Sequence, residues 1–280
     1  MSLPPPPPSW LPDPQVPGAL RWWDGQAWSP HTAVAAGTVA RPAPQPFTPL
    51  PVPAALGALL ALAVPLVASR WLLRGILHWN LPIALYIVIL AVVVYAPSLW
   101  WWRLASRRYG TGRPAADVGL RFRPVDAGWG PVTWLACLAG QAVVAAIVLA
   151  LKIPLVGNTE SIRESRTVMA YVIPMVVMAV VIAPFVEEIV FRGLVLRGFA
   201  GVMPWGLAVT VQGVLFGLAH VDPQRGVGNI GLVMVLSAVG VMLGGSTYLL
   251  RRLGASVVAH AIINAIAMTV ALSGWQPPSQ

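Results

Sequence analysis

MAYVIPMVVMAVVIAPFVEEIVFRGL, residues 169–194, decides how this chain is read. From Met169 to Val186 it carries no charged side chain. About 20 such residues suffice for an α-helix to cross a hydrocarbon core of about 30 Å. Then Glu187, Glu188 and Arg192 appear before the apolar run ends. Each ionisable group at bilayer depth costs at least about 2.5–3.5 kcal/mol on insertion scales. Three of them inside a membrane span therefore call for partners that offset the cost.

The composition agrees with a membrane reading. The 280 residues are 57% hydrophobic and only 10% charged, and mean hydropathy is +0.74. Soluble domains carry about 25% charged residues. A polytopic membrane protein is expected, not a soluble enzyme with one anchor. Seven candidate spans follow from hydropathy, at 53–70, 80–100, 131–152, 169–199, 204–220, 227–250 and 255–273. The expected fold is an all-α bundle of about seven transmembrane helices. Tryptophans at 100–102, 129, 134 and 275 flank spans, where Trp is common without any ligand. Cys137 is the sole cysteine, which excludes an internal disulfide and a cysteine-based zinc cluster.

The amino terminus is different. Residues 1–9 are proline-rich and expected to be disordered or polyproline II. Residues 10–32 hold Trp10, Arg21-Trp22-Trp23-Asp24-Gly25 and Trp28, and Asp24-Gly25 between aromatics is a hairpin signal. A small Trp-rich module, β in character, is the most that so short a segment supports. It resembles a short Trp-rich domain of unknown function at the amino end of actinobacterial membrane proteins. Residues 33–52 read as a linker, 53–130 as the first two spans and a basic loop, and 131–273 as the core; 274–280 form a tail. No secretory signal is visible, so a cytoplasmic amino terminus is expected.

The net charge of +9 serves topology in this reading. With the amino terminus inside, twelve of the 18 basic residues are cytoplasmic, six of them arginines in 103–126. The other six are Arg70, Arg74, Lys152, Arg163, Arg166 and Arg225. Such an asymmetry fixes orientation and attracts anionic lipid. A nucleic-acid partner is not expected; the partners are the lipid bilayer and a peptide or membrane-protein substrate reaching the site from the cytoplasmic side.

Glu187 and Glu188 are the only acidic residues inside the proposed spans. His220 ends one span, and His260 lies four residues before Asn264 on one helix face. Counted at 1.5 Å per residue, Glu187 and His220 both lie roughly 23–25 Å from the turn near 201–205. His260 and Asn264 lie only roughly 9–15 Å from theirs. A protruding or tilted fourth helix is needed to close that mismatch. Glu188 and Arg192, at i and i+4, have the favourable order for an ion pair.

The motifs EExxxR (187–192), FxxxH (216–220) and HxxxN (260–264), in this order, resemble the CPBP intramembrane proteases. These are the type II CAAX prenyl endopeptidases and bacterial relatives, some linked to bacteriocin immunity. The resemblance covers roughly residues 130–273. It implies that Glu187 activates a water, that His220 helps hold it, and that His260 and Asn264 donate to the oxyanion. Glu188, Arg192 and Phe216 would support the site, and the two glutamates are able to exchange roles. No cofactor is implied. Three rival readings stand beside it, one of them a proton-coupled transporter, since intramembrane carboxylates and histidines also form proton relays. Glu187, His220 and His260 are legitimate zinc ligands, although no HExxH occurs. A non-catalytic scaffold or bacteriocin-immunity-type protein would keep the fold without the chemistry.

Overall fold

The computed structural model describes residues 6–17, 19–34 and 47–274. The expectations for residues 1–5, for most of the linker (35–46), and for Trp275 and the tail beyond it lie outside the described residues. The chain divides into two units, 1–46 and 47–280, each described by itself.

In the first unit, β1 (Ser9–Pro12), β2 (Ala19–Trp23) and β3 (Trp28–Val34) form an antiparallel sheet in that order. Asp24-Gly25 makes the β2–β3 turn, as the hairpin signal predicts. Gly25 supplies a φ of +100°, and the Asp24 carboxylate accepts from the N–H groups of Ala27 (2.6 Å) and Gln26 (2.8 Å). Those two backbone donors hold the Asp24 carboxyl below its ordinary range. The buried Asp13 accepts from Arg21 Nε at 3.0 Å and from Gln15 N at 2.8 Å.

The second unit is helical. Its elements are α1 (Val52–Ile76), α2 (Ile83–Tyr109), the one-turn α3 (Pro114–Asp117), α4 (Asp126–Ala150) and the short α5 (Glu160–Glu164). A 32-residue helix, Met169–Ala200, follows. It consists of α6 (Met169–Val177), π-helical Met178–Ile182, α7 (Ala183–Glu188), π-helical Ile189–Val195 and α8 (Leu196–Ala200). Then come α9 (Trp205–Leu218), a 3-10 segment, α10 (Asn229–Leu250) and α11 (Gly254–Ser273). Six of these helices are long and apolar enough to cross a membrane, so the protein is a multi-pass membrane protein. The sequence predicts a seventh at 204–220. There the helix is α9, 14 residues, about 21 Å at 1.5 Å per residue, short of a bilayer core of about 30 Å.

The tryptophan triplet also differs from expectation. Residues 100–102 do not end the second span: α2 runs on to Tyr109. Only Trp100 is exposed. Trp101 Nε1 donates to Ala54 O at 2.9 Å and Trp102 Nε1 to Pro114 O at 3.0 Å. These two indoles brace helices and loops, because a polar tip on a large apolar ring suits a buried joint as well as an interface.

Both π segments have local causes or consequences. Pro184 lacks an N–H, and its ring crowds the carbonyl of Val180, four residues earlier. That carbonyl lies in the first π segment, where the wider i→i+5 turn relieves the crowding. The second π segment is buried at all seven residues and packs against α1, α2, α9 and α10.

Helices α9 and α10 pack in backbone contact. Gly213 on one helix faces Gly240 on the other, Gly217 meets the backbone of Val233 and Ser237, and Gly244 meets the Gln212 side chain. A Cβ on Gly240 would stand 2.7 Å from the Gly213 Cα, and one on Gly213 would stand 2.8 Å from Val241 N. Small residues four apart allow such backbone contact where lipid provides no hydrophobic drive.

The bundle is tied at both ends. At the arginine-rich end, Arg252 pairs with Asp126 Oδ1 at 2.6 Å and Leu253 N donates to Gly119 O at 2.9 Å. Nearby, Asp117 accepts from the hydroxyls of Ser106 and Thr111 and from Thr111 N. Burial opposes its ionisation, but these donors prevail and hold its carboxyl below the ordinary range. At the other end, Arg225 reaches Gly157 O and His220 O, both at 3.2 Å.

The glycine contact predicts opposite outcomes for two similar changes. Gly240→Ala will lower the unfolding temperature of the purified protein, by about 1–3 kcal/mol of overpacking. Gly245→Ala, whose Cβ would meet nothing within 4 Å, will be neutral or slightly stabilising by helix propensity. Equal thermal shifts in the two variants would refute the account.

Candidate active site

The ion pair foreseen from EExxxR forms. Glu188 and Arg192 are fully buried, and Arg192 Nη1 donates to Glu188 Oε1 at 2.9 Å. Arg192 Nη2 also reaches Gly240 O at 3.2 Å, and that carbonyl accepts Gln212 Nε2 at 2.7 Å. The guanidinium lies 4.4 Å from the Phe216 ring centre. Phe216 in turn meets the rings of Phe191, His220 and His260 at 5.3, 4.8 and 5.5 Å. The charge is thus enclosed by one carboxylate, one carbonyl and an aromatic face, the partners that make a desolvated guanidinium tolerable.

His260 joins the two glutamates. Its Nδ1 is 3.0 Å from Glu188 Oε1, and its Nε2 is 3.9 Å from Glu187 Oε2. A carboxylate only accepts, so the Nδ1 of His260 donates to it. The depth mismatch for His260 is thereby resolved in the fold. The turn after α8 therefore stands farther from the site than the turn before α11, as the protruding or tilted fourth helix required by the count would place it. Glu187 Oε1 accepts the Tyr95 hydroxyl at 3.0 Å. Tyr95 stands on α2, and nothing in YIVILAVVVY distinguishes it from a lipid-facing residue.

His220 sits just past α9. Its Nδ1 is 2.8 Å from Phe216 O. A carbonyl only accepts, so Nδ1 carries the proton and Nε2 is left for other partners. The FxxxH spacing thus acts through the backbone of Phe216 as well as its ring. Asn264 Nδ2 donates to Ala179 O at 2.7 Å, in the first π segment, and its amide retains a second N–H.

A cavity of about 250 Å³ lies among these residues, lined by Glu187, His220 and Asn264 together with Gln141, Asn158, Thr159 and Met175. His260 is not among its lining residues. Asn158 is exposed and belongs to the α4–α5 connection, at the end of the bundle opposite the arginine-rich 103–126 loop. Glu187, His220 and Asn264 are therefore brought to one wall space, while Glu188, Arg192, His260 and Phe216 stand behind it. Gln141 and Gln212 were recoverable as lone amides in apolar helices; Asn158 and Thr159 carry no such signal. Among the described residues, no three His, Cys, Asp or Glu side chains are grouped to hold a metal ion.

Fold and site together define a multi-pass membrane protein with carboxylates, histidines and an asparagine converging inside the bundle. Residues 169–266 match the family model described as Type II CAAX prenyl endopeptidase Rce1-like, so over that stretch the chain is similar to a family of CAAX-protease-like membrane endopeptidases. The matched stretch holds all three motifs and is narrower than the 130–273 expected. Residues 8–48 match the model of a protein of unknown function, DUF2510. No curated protein and no solved structure matches the chain.

The buried pair yields a test by double substitution. Arg192→Met leaves the Glu188 charge without its cation and will cost about 3–5 kcal/mol. Adding Glu188→Gln will restore much of that loss, read as unfolding temperature in detergent. A double variant no more stable than Arg192→Met would contradict the pairing.

Proposed function

We propose that the protein is an intramembrane endopeptidase in which Glu187 is the general base for a water that attacks a peptide carbonyl. The observation that carries this reading is a carboxylate tethered on one oxygen by Tyr95 at the wall of a cavity shared with His220 and Asn264. Water between Glu187 and the free Nε2 of His220 loses its proton to Glu187 as its oxygen bonds the carbonyl carbon. The oxyanion takes the spare N–H of Asn264; such a donor is worth about 2.7–4 kcal/mol where water is scarce. The Glu187 proton then passes to the leaving nitrogen as the C–N bond breaks. His260 serves beside the base: Glu188 holds its Nδ1, and its Nε2 points toward Glu187. This shifts His260 from the oxyanion role expected from the resemblance to a positioning role.

The substrate is a peptide or a membrane-protein tail. The exposed Asn158 on the cavity rim supports access from that end of the bundle. With the arginine-rich end inside, it is the outer face, opposite to the access expected from the sequence.

Two experiments test these statements. Glu187→Gln, which keeps the side-chain volume, will abolish cleavage, and membrane peptides that wild type removes will accumulate; identical peptide profiles would favour the scaffold reading. For the side of access, Asn158→Cys in a Cys137→Ala background will react with a membrane-impermeant maleimide on intact cells. Labelling only after lysis would reverse the assignment.

A further inference from the structure

The amino-terminal sheet carries a feature that the membrane site does not use. Trp22 and Trp23 are successive residues of β2, so their side chains lie on opposite faces. Trp22 pairs edge-on with Trp10, at 5.7 Å between ring centres. Trp23 pairs edge-on with its cross-strand partner Trp28, at 5.3 Å. On the Trp23 side, the chain's own prolines reach the Trp23 indole and the β2–β3 turn. Trp23 Nε1 donates to Pro6 O at 2.9 Å, and the Pro8 ring passes over the turn, 3.5 Å from where a Gly25 Cβ would be. Ser9 Oγ donates to Pro7 O at 2.9 Å.

This arrangement has a specific chemistry. Proline fixes φ, and a residue before proline is held extended, so Pro6 and Pro7 in PPPPP have little choice but polyproline II. That helix has no internal hydrogen bonds and keeps its carbonyls outward for an external donor. Aromatic grooves that recognise proline-rich segments exploit this preformed, low-entropy shape. The indole N–H is a donor only, so its bond to a proline carbonyl uses its whole polar capacity. Trp28 remains 39% exposed, so the proline run leaves part of the aromatic face uncovered.

We propose that the three-stranded sheet is a binding module for proline-rich polypeptide in the polyproline II conformation, and that residues 6–8 of the same chain occupy its groove as an internal ligand. An external proline-rich segment competes with this run for Trp23 and extends over Trp28. The module would tether proline-rich proteins to the membrane enzyme; it stands whether or not Glu187 is a base.

The test uses the full chain in detergent and a fluorescein-labelled decaproline peptide, followed by anisotropy. The triple variant Pro6→Ser/Pro7→Ser/Pro8→Ser removes the internal competitor and will bind decaproline at least tenfold more tightly than wild type. Adding Trp23→Phe to it will reverse that gain, whereas adding Trp10→Phe, on the opposite face, will leave it intact. A triple variant that binds decaproline no better than a Gly-Ser peptide of equal length overturns the proposal, whatever Trp23→Phe does to the fold. So does tight binding that survives Trp23→Phe. Equal affinity of wild type and triple variant overturns the internal-ligand part.

Discussion

Placing Arg192 and Glu188 inside a membrane bundle is the constraint from which much of the remaining structure follows. An unpaired charge there is intolerable, so each neighbour is a solution to the same problem. Glu188 supplies the counter-charge, and the Gly240 carbonyl accepts a second guanidinium N–H. That carbonyl lies at the crossing of α9 and α10, where Gly213 and Gly240 bring two backbones together. Gln212 shares the carbonyl, and Phe216 covers the guanidinium. Glu188 then has an oxygen face left over for His260, which fixes the ring whose other nitrogen points to Glu187. Paired charge and close glycine packing thus set the position of the Glu187 carboxylate two steps removed.

Much of this was written in the sequence because it is local. EExxxR puts a carboxylate one helical turn before an arginine, and the pair forms. FxxxH is local too, and Phe216 O holds His220 one turn later. Asp24-Gly25 makes its turn for a reason contained in two residues. Non-local or irregular features were hidden. The depth of His260 was misjudged because counting from a turn assumes that neighbouring turns lie at one level, whereas the 32-residue helix runs on past the level of the turn before α11. Trp101 and Trp102 read as an interface belt because the same amphipathic ring serves either place; their carbonyl partners, Ala54 and Pro114, are chosen by packing. α9 passed for a span because its apolar pattern continues past the residue where its helix stops.

The two ends of the bundle do different work. At one end, Asp117 and Asp126 gather hydroxyls, backbone N–H groups and Arg252 into a closed polar seam between spans. At the other, longer connections are stitched by Arg225 to backbone carbonyls, including that of His220. The cavity lies toward this second end. Its polar rim residues come from the connection between α4 and α5, not from the helices that bear the motifs.

Tyr95 belongs to a helix outside the stretch that matches the endopeptidase family, yet its hydroxyl is what holds one oxygen of Glu187. The motif-bearing helices and the site are thus not coextensive. A fragment trimmed to residues 169–266 would keep every motif residue while discarding both Tyr95 and the Asn158 rim. The first two spans also supply the walls around the buried π turn. The smallest portable unit of this arrangement is accordingly the whole bundle, and substitutions that alter the surroundings of Glu187 can arise in α2, far along the chain from any signature residue.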